Sequence, residues 1–185
     1  MSTIVACALG CASAPAPEQR LYWFNSPAAV PTGTQPPELS IVSVSVPAYL
    51  RRREIMLQLD DHELRPARHH HWAEPLQVNI HSYLAARLAS DLATPIGREA
   101  TTTNVKVEIN QLHSHLQGRA TLSASYQIQS SREDAAPFYR HIQLEAEQEG
   151  QGYAPAVAAQ QALLDSMSRM IAADLGAEPA NPAAQ

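Results

Sequence analysis

Apolar residues recur every three or four positions at Leu76, Ile80, Tyr83, Leu84, Leu88 and Leu92, while Gln77, Asn79, Ser82, Arg87 and Asp91 fill the positions between. That spacing predicts an amphipathic helix with one stripe turned to a core. Pro75 is expected at its first position, where the missing N–H has no intrahelical partner to lose and the fixed φ already suits a helix. Trp72, just upstream, is expected to pin this helix to a sheet. The entry repeats later as Tyr153-Ala154-Pro155, followed by an apolar stripe of Val157, Leu164, Met167, Ile171 and Leu175, with Gly176 as its cap.

Between and before the helices the period drops to two. Leu21-Tyr22-Trp23-Phe24 is a short aromatic strand, and the prolines and glycine between Asn25 and Pro37 make a loop. Val42, Val44 and Val46 alternate with Ser43 and Ser45 until Pro47 ends the run. Ile55, Leu57 and Leu59 alternate with Met56 and Gln58, and Asp60-Asp61 turns the chain into Glu63-Leu64-Arg65 as a hairpin. After a break at Thr94-Pro95-Ile96-Gly97, Val105, Val107 and Ile109 open a long strand that ends near Gln117-Gly118. Ala120, Leu122, Ala124, Tyr126 and Ile128 then face one way and Thr121, Ser123, Ser125, Gln127 and Gln129 the other. Phe138, Arg140, Ile142, Leu144 and Ala146 oppose Tyr139, His141, Gln143 and Glu145 in the same manner, completing an antiparallel meander. The fold class expected is α/β: a single domain with a mixed, largely antiparallel sheet and two long helices packed on it.

A chain of 185 residues suffices for one good core. Its net charge of -5 and pI near 5.9 argue against nucleic acid as a partner and offer no pull toward an anionic membrane. Proline and alanine gather at both ends, which predicts a compact centre with loose tails. Residues 1–11 read as a partial lipoprotein signal, 12–18 as a tether, 19–176 as the domain and 177–185 as a flexible tail.

Chemistry enters mainly at the N-terminus. Both cysteines, Cys7 and Cys11, lie too early to staple a core. Ala8-Leu9-Gly10-Cys11 resembles a bacterial lipobox, in which the cysteine is acylated, and Ile4-Val5-Ala6-Cys7 fits nearly as well. Cys11 is the stronger candidate, because Ala12-Ser13-Ala14-Pro15-Ala16-Pro17 follows it as a proline-rich tether. The segment before it carries no positive charge and few large apolar residues. His69-His70-His71 cannot all converge on one ion, and His113 with His115 lacks further ligands, so no metal site is assigned. With no Gly-x-Ser-x-Gly and no glycine-rich phosphate loop, no catalytic residue or cofactor is assigned either. Arg51-Arg52-Arg53 could meet an acidic partner or a lipid headgroup, against the plainer reading of a solvated turn. Glu74 sits beside a helix N-terminus, where the dipole favours its charge, and reads as structural.

Five blocks in order resemble the PqiC-like ABC-type transport auxiliary lipoproteins of Gram-negative bacteria. They are Gly10-Cys11-Ala12-Ser13, the aromatic first strand, Pro47-Ala48-Tyr49-Leu50 through Arg52 to Ile55, Trp72-Ala73-Glu74-Pro75-Leu76, and the closing alanine-rich helix. Only Arg52 of the arginine run matches a family position. The resemblance implies a non-enzymatic periplasmic domain held at the outer membrane by a lipid on Cys11. Ala12 follows that cysteine where an aspartate would signal inner-membrane retention. The partners implied are an MCE-domain tunnel protein and its inner-membrane permease, and the domain itself is expected to be a homo-oligomer. A contact surface is expected around Tyr49, Arg51, Arg52 and Arg53, with exposed valines or aromatics of the early strands. The competing reading is a periplasmic carrier that holds an apolar ligand itself.

Overall fold

The structure, a computed structural model, describes residues 17–26, 39–92, 103–115, 118–131 and 136–176. The elements are β1 (Arg20–Tyr22), β2 (Leu39–Ser45), a 3₁₀ turn (Ala48–Arg51), β3 (Glu54–Gln58), β4 (Leu64–Trp72), α1 (Leu76–Asp91), β5 (Thr103–His115), β6 (Arg119–Ser130), β7 (Phe138–Glu147) and α2 (Tyr153–Gly176). The strands form one seven-stranded sheet in the order β1-β4-β3-β5-β6-β7, with β2 joined to β5. The meander β5-β6-β7 and the β3-β4 hairpin are antiparallel, whereas β1-β4, β2-β5 and β3-β5 are parallel. This is the mixed α/β single domain expected from the pattern.

The hairpin closes as its turn residues predict: Asp60 Oδ1 accepts the His62 and Glu63 N–H groups, each at 2.9 Å. β4, however, runs on through the histidines to Trp72. Pro66 interrupts no ladder there, because β1 reaches only His70 to Trp72 and leaves that side of Pro66 open. Ile55 and Met56 are consecutive yet both buried, which a register shift between Glu54 and Met56 permits. β5 uses the same device. Its register against β6 shifts between Ile109 and Gln111, so Leu112 and Ser114 stay on the face of Val105, Val107 and Ile109.

Both helices cover one face of the sheet, and the core lies between. Its largest fully buried side chains include Tyr83, Tyr126, Phe24, Ile55, Leu84 and Leu122. α1 buries Leu76, Ile80, Tyr83, Leu84 and Leu88, the stripe expected of it. Pro75 stands one position earlier than expected, as N-cap, and its carbonyl accepts the N–H groups of Val78 and Asn79 at 2.8 and 3.1 Å. α2 sets Ala156, Val157, Ala159, Leu163, Leu164, Met167 and Ile171 inward, and the small alanines let it lie close to β5 and β6. Buried Ser114 bridges to α2, donating to the Ala156 carbonyl and accepting from Gln160 Nε2, each at 3.2 Å. The helices are cross-tied by Tyr83 donating to Asp165 at 2.6 Å, by Arg87 3.3 Å from Asp165, and by Ser168 donating to Asp91 at 3.1 Å.

The expected loop over Asn25 to Pro37, the break at Thr94 to Gly97, the tether and the tail lie largely or wholly outside the described residues. Among the described residues no helix is long and apolar enough to cross a membrane.

Candidate contact surface

Among the described residues the face of the sheet away from the helices is polar, and the link from β2 to β3 bends beside it. A 3₁₀ turn forms after Pro47, closed by the Leu50 N–H on the Pro47 carbonyl at 3.0 Å. Leu50 is driven into the core. Tyr49 is half-buried, with its ring 6.4 Å from that of His113, and it shares a hydrogen bond with the Leu112 backbone. Burial pushes its phenol above the ordinary pKa, so it stays protonated.

The three arginines that follow are exposed, and each also has a local task. Arg51 Nε donates to the Val46 carbonyl at 3.3 Å, and Arg52 lies 3.5 Å from Glu54. The Arg53 carbonyl accepts the Trp72 N–H at 2.7 Å. The run is therefore both a tied turn and a positive patch beside Tyr49.

His113 was not assigned a role by its sequence context, yet it is buried on this otherwise polar face. Its Nε2 lies 2.5 Å from Gln58 Oε1 and 3.0 Å from Gln111 Nε2. A neutral ring with the proton on Nε2 donates to Gln58 and leaves Nδ1, which has no partner among the described residues, as a bare acceptor. Burial first, and the neighbouring His115 second, lower its pKa to about 4. His115 in turn sits 2.8 Å from the Thr121 hydroxyl. The open depression here, about 370 Å³, is lined by Tyr49, Gln58, Asp60, Glu63, Gln111 and His113 among others. A second, about 450 Å³, lies farther along the same face between Ser45, Lys106, Glu108, Ser125, Tyr139 and His141. Among the described residues no three of His, Cys, Asp and Glu are placed to hold a metal ion.

Trp72, Glu74 and Pro75 serve the fold. Trp72 is 4% exposed, its ring 5.1 Å from that of Phe24. Glu74 accepts from Asn79 Nδ2 at 2.8 Å, and Asn79 Oδ1 accepts the Phe24 N–H at 2.8 Å. This relay fastens the chain after β1 to the start of α1. The histidine run is divided by the strand period: His70 is stacked on Tyr153 at 3.7 Å and bonded to the Tyr22 hydroxyl at 2.8 Å. Cys11 lies outside the described residues.

One expectation is corrected. Val44 and Val46 are not free for a partner, because both are buried under the helices. Among the described residues the exposed large apolar side chains are Leu21 in β1 and Trp23 just after it, an early aromatic of the kind expected, together with Leu64, Val78, and Phe138 and Tyr139 at the start of β7. The sequence did carry a signal for the first pair. Leu21 and Trp23 alternate with inward Tyr22 and Phe24, so the strand is apolar on both faces, which a merely solvated edge does not need.

The molecule so described is a mixed α/β domain in which many polar side chains bind its own elements together. The sequence pattern of the ABC-type transport auxiliary lipoprotein component matches residues 22–172, and the chain belongs to that family. It is thus a transport-associated lipoprotein of the cell envelope, in a family not known for enzymes. The fold recurs in solved structures. An uncharacterized protein shares 21% identity over 86% of this chain and 99% of its own, with a TM-score of 0.72. A Xanthomonas campestris protein of the family DUF330 shares 14% over 82% and 91%, with a TM-score of 0.64. No curated protein matches the sequence.

Proposed function

We propose that this domain is the outer-membrane end of a lipid-transport conduit: a non-enzymatic lipoprotein, acylated at Cys11, that docks an MCE-domain tunnel protein served by an inner-membrane permease. The observation that carries this reading is the family match over residues 22–172. Ala12 after the cysteine favours sorting to the outer membrane. Stable anchoring there takes two or more acyl chains, at about 0.8 kcal/mol per buried CH₂. Tyr49 with Arg51, Arg52 and Arg53 forms the docking patch, an amphipathic ring beside exposed guanidinium groups that suits an acidic rim on the partner. The domain works as a homo-oligomer, which multiplies anchors and presents a symmetric platform to the tunnel. The carrier alternative calls for an apolar cavity. Both described depressions are open and lined by groups such as Gln58, Asp60, Lys106 and Glu108, which gives that alternative no support.

The test is affinity capture of the full-length protein from detergent-solubilised membranes. An MCE-domain protein is expected in the eluate, and charge reversal of Arg51, Arg52 and Arg53 together is expected to deplete it at least tenfold, about 1.4 kcal/mol. Capture that is indifferent to these residues would move the docking patch elsewhere. An eluate without the MCE protein would contradict the reading itself.

A further inference from the structure

β1 closes the sheet on the side opposite β7. It has three residues, pairs with β4, and is the first strand after residues 12–18. Leu21 in it and Trp23 just after it stand 53% and 60% exposed, two positions apart and therefore on one side of an extended chain. The alternating Tyr22 and Phe24 turn to the core, and the backbone here is firmly tied. The Tyr22 carbonyl accepts the Ala73 N–H at 2.8 Å, Asn79 Oδ1 accepts the Phe24 N–H at 2.8 Å, and Gln161 Oε1 accepts the Asn25 N–H at 2.9 Å. The exposure of Leu21 and Trp23 is thus built into the fold and is not the looseness of a frayed end.

The surroundings limit what can cover them. Val78, 47% exposed in the first turn of α1, directly precedes the Asn79 that holds Phe24, so exposed apolar groups belong both to this strand and to the helix layer beside it. Inward from Leu21 the rung passes to His71 and then to Glu54, an acid 3.5 Å from Arg52, so the apolar surface stops after one strand. A narrow apolar margin with an indole suits the boundary of a bilayer, where the ring lies against acyl chains and its N–H reaches water. The net charge of -5 makes such a contact apolar and interfacial, not electrostatic. Reach points the same way. The ten residue steps from Cys11 to Leu21 span at most roughly 35 Å fully extended, less than the roughly 40 Å breadth of a compact domain of this size. A lipid on Cys11 therefore keeps β1 nearer the bilayer than any later strand of the chain needs to be.

We infer that the β1 edge is a second membrane contact, with Leu21 and Trp23 seated in the headgroup boundary of the bilayer that holds the Cys11 lipid. The inference rests on the acylation proposed above and adds an orientation to it. A lipid alone leaves the domain free to tumble on its tether, whereas a seated edge holds it in one pose. The Tyr49 and arginine turn, beyond Glu54 on the same rungs, then stays in water where a partner can reach it.

The experiment places the acylated full-length protein in phosphatidylcholine vesicles, ordinary or brominated on the acyl chains, and reads tryptophan emission. Bromine quenches only on contact, and the chain has two tryptophans, of which Trp72 is buried. The Trp23 emission, taken as the difference between wild type and Trp23→Phe, is expected to fall at least about twofold in brominated vesicles, as for an indole at headgroup depth. Leu21→Glu, with Trp23 kept, is expected to abolish most of that quenching while the protein still floats with the vesicles. Undiminished quenching in Leu21→Glu would mean chance collision of a tethered domain and overturn the inference. Unquenched Trp23 in floated protein would also overturn it, assigning the pair to water or to a protein neighbour, and would leave the lipid anchor standing. A chain that carries no acyl group and stays off the vesicles refutes the anchor and the seat together.

Discussion

Trp72 carries more of the fold than its place before a helix suggests. It closes β4, packs on Phe24 and gives its N–H to Arg53, so three segments meet at one side chain. Trp72→Ala is expected to cost about 3–5 kcal/mol in urea unfolding, the range for a large aromatic cut from a packed site. A loss below about 1 kcal/mol would mean that the ring is not in the core at all. His113 gives a pH signature. Its folded pKa of about 4 lies below the ordinary histidine value, so between pH 6.5 and 4 the unfolded chain binds a proton that the folded chain refuses. Stability therefore falls as pH falls through that window, by about 1.4 kcal/mol per unit and roughly 3 kcal/mol in all from this group. The difference between wild type and His113→Gln across that range measures it. Parallel stability curves would contradict a buried neutral ring. Trp72 was legible because a bulky aromatic before a helix-starting proline has few other uses. His113 was not, because its burial depends on Gln58 and Tyr49 arriving from far along the chain.

Among the elements, the clasp of α2 to the meander is the most testable. Tyr126 of β6 donates a short hydrogen bond to Asp174, which also takes both contacts from Arg140 of β7. Burial, then the Asp174 bond, push the Tyr126 phenol up to about 12. Asp174→Ala is expected to cost about 1–3 kcal/mol, mostly because the buried Tyr126 hydroxyl loses its acceptor, while exposed Arg140 contributes little. In a Tyr126→Phe background the same substitution should cost clearly less, and equal costs in both backgrounds would show that the pair is uncoupled. The helices and the meander were legible because each keeps one period over many residues. Misreadings fall where the period breaks. The shift in β3 made two neighbours bury together, and the 3₁₀ turn set Tyr49 and Leu50 on different sides of the sheet. The length of β4 was hidden because a histidine run with a proline has no apolar alternation to follow.

At the scale of the whole molecule, the α/β class and the family were both accessible from the chain, since ordered blocks such as Trp72 to Leu76 record the way this sheet and its helices meet. The surfaces were not. Whether Val44 faces a partner or a core depends on α1 covering β2, and no local pattern reports that. The central claim is that this domain acts by contact, as an anchored platform for a tunnel protein. Native mass spectrometry of the full-length protein, extracted from membranes together with the MCE protein, reads that claim in one measurement. The expected spectrum shows chains beginning at an acylated Cys11, in more than one copy, bound to the MCE protein. A single unacylated chain with an intact N-terminus, free of the MCE protein and carrying a lipid of its own, would contradict it.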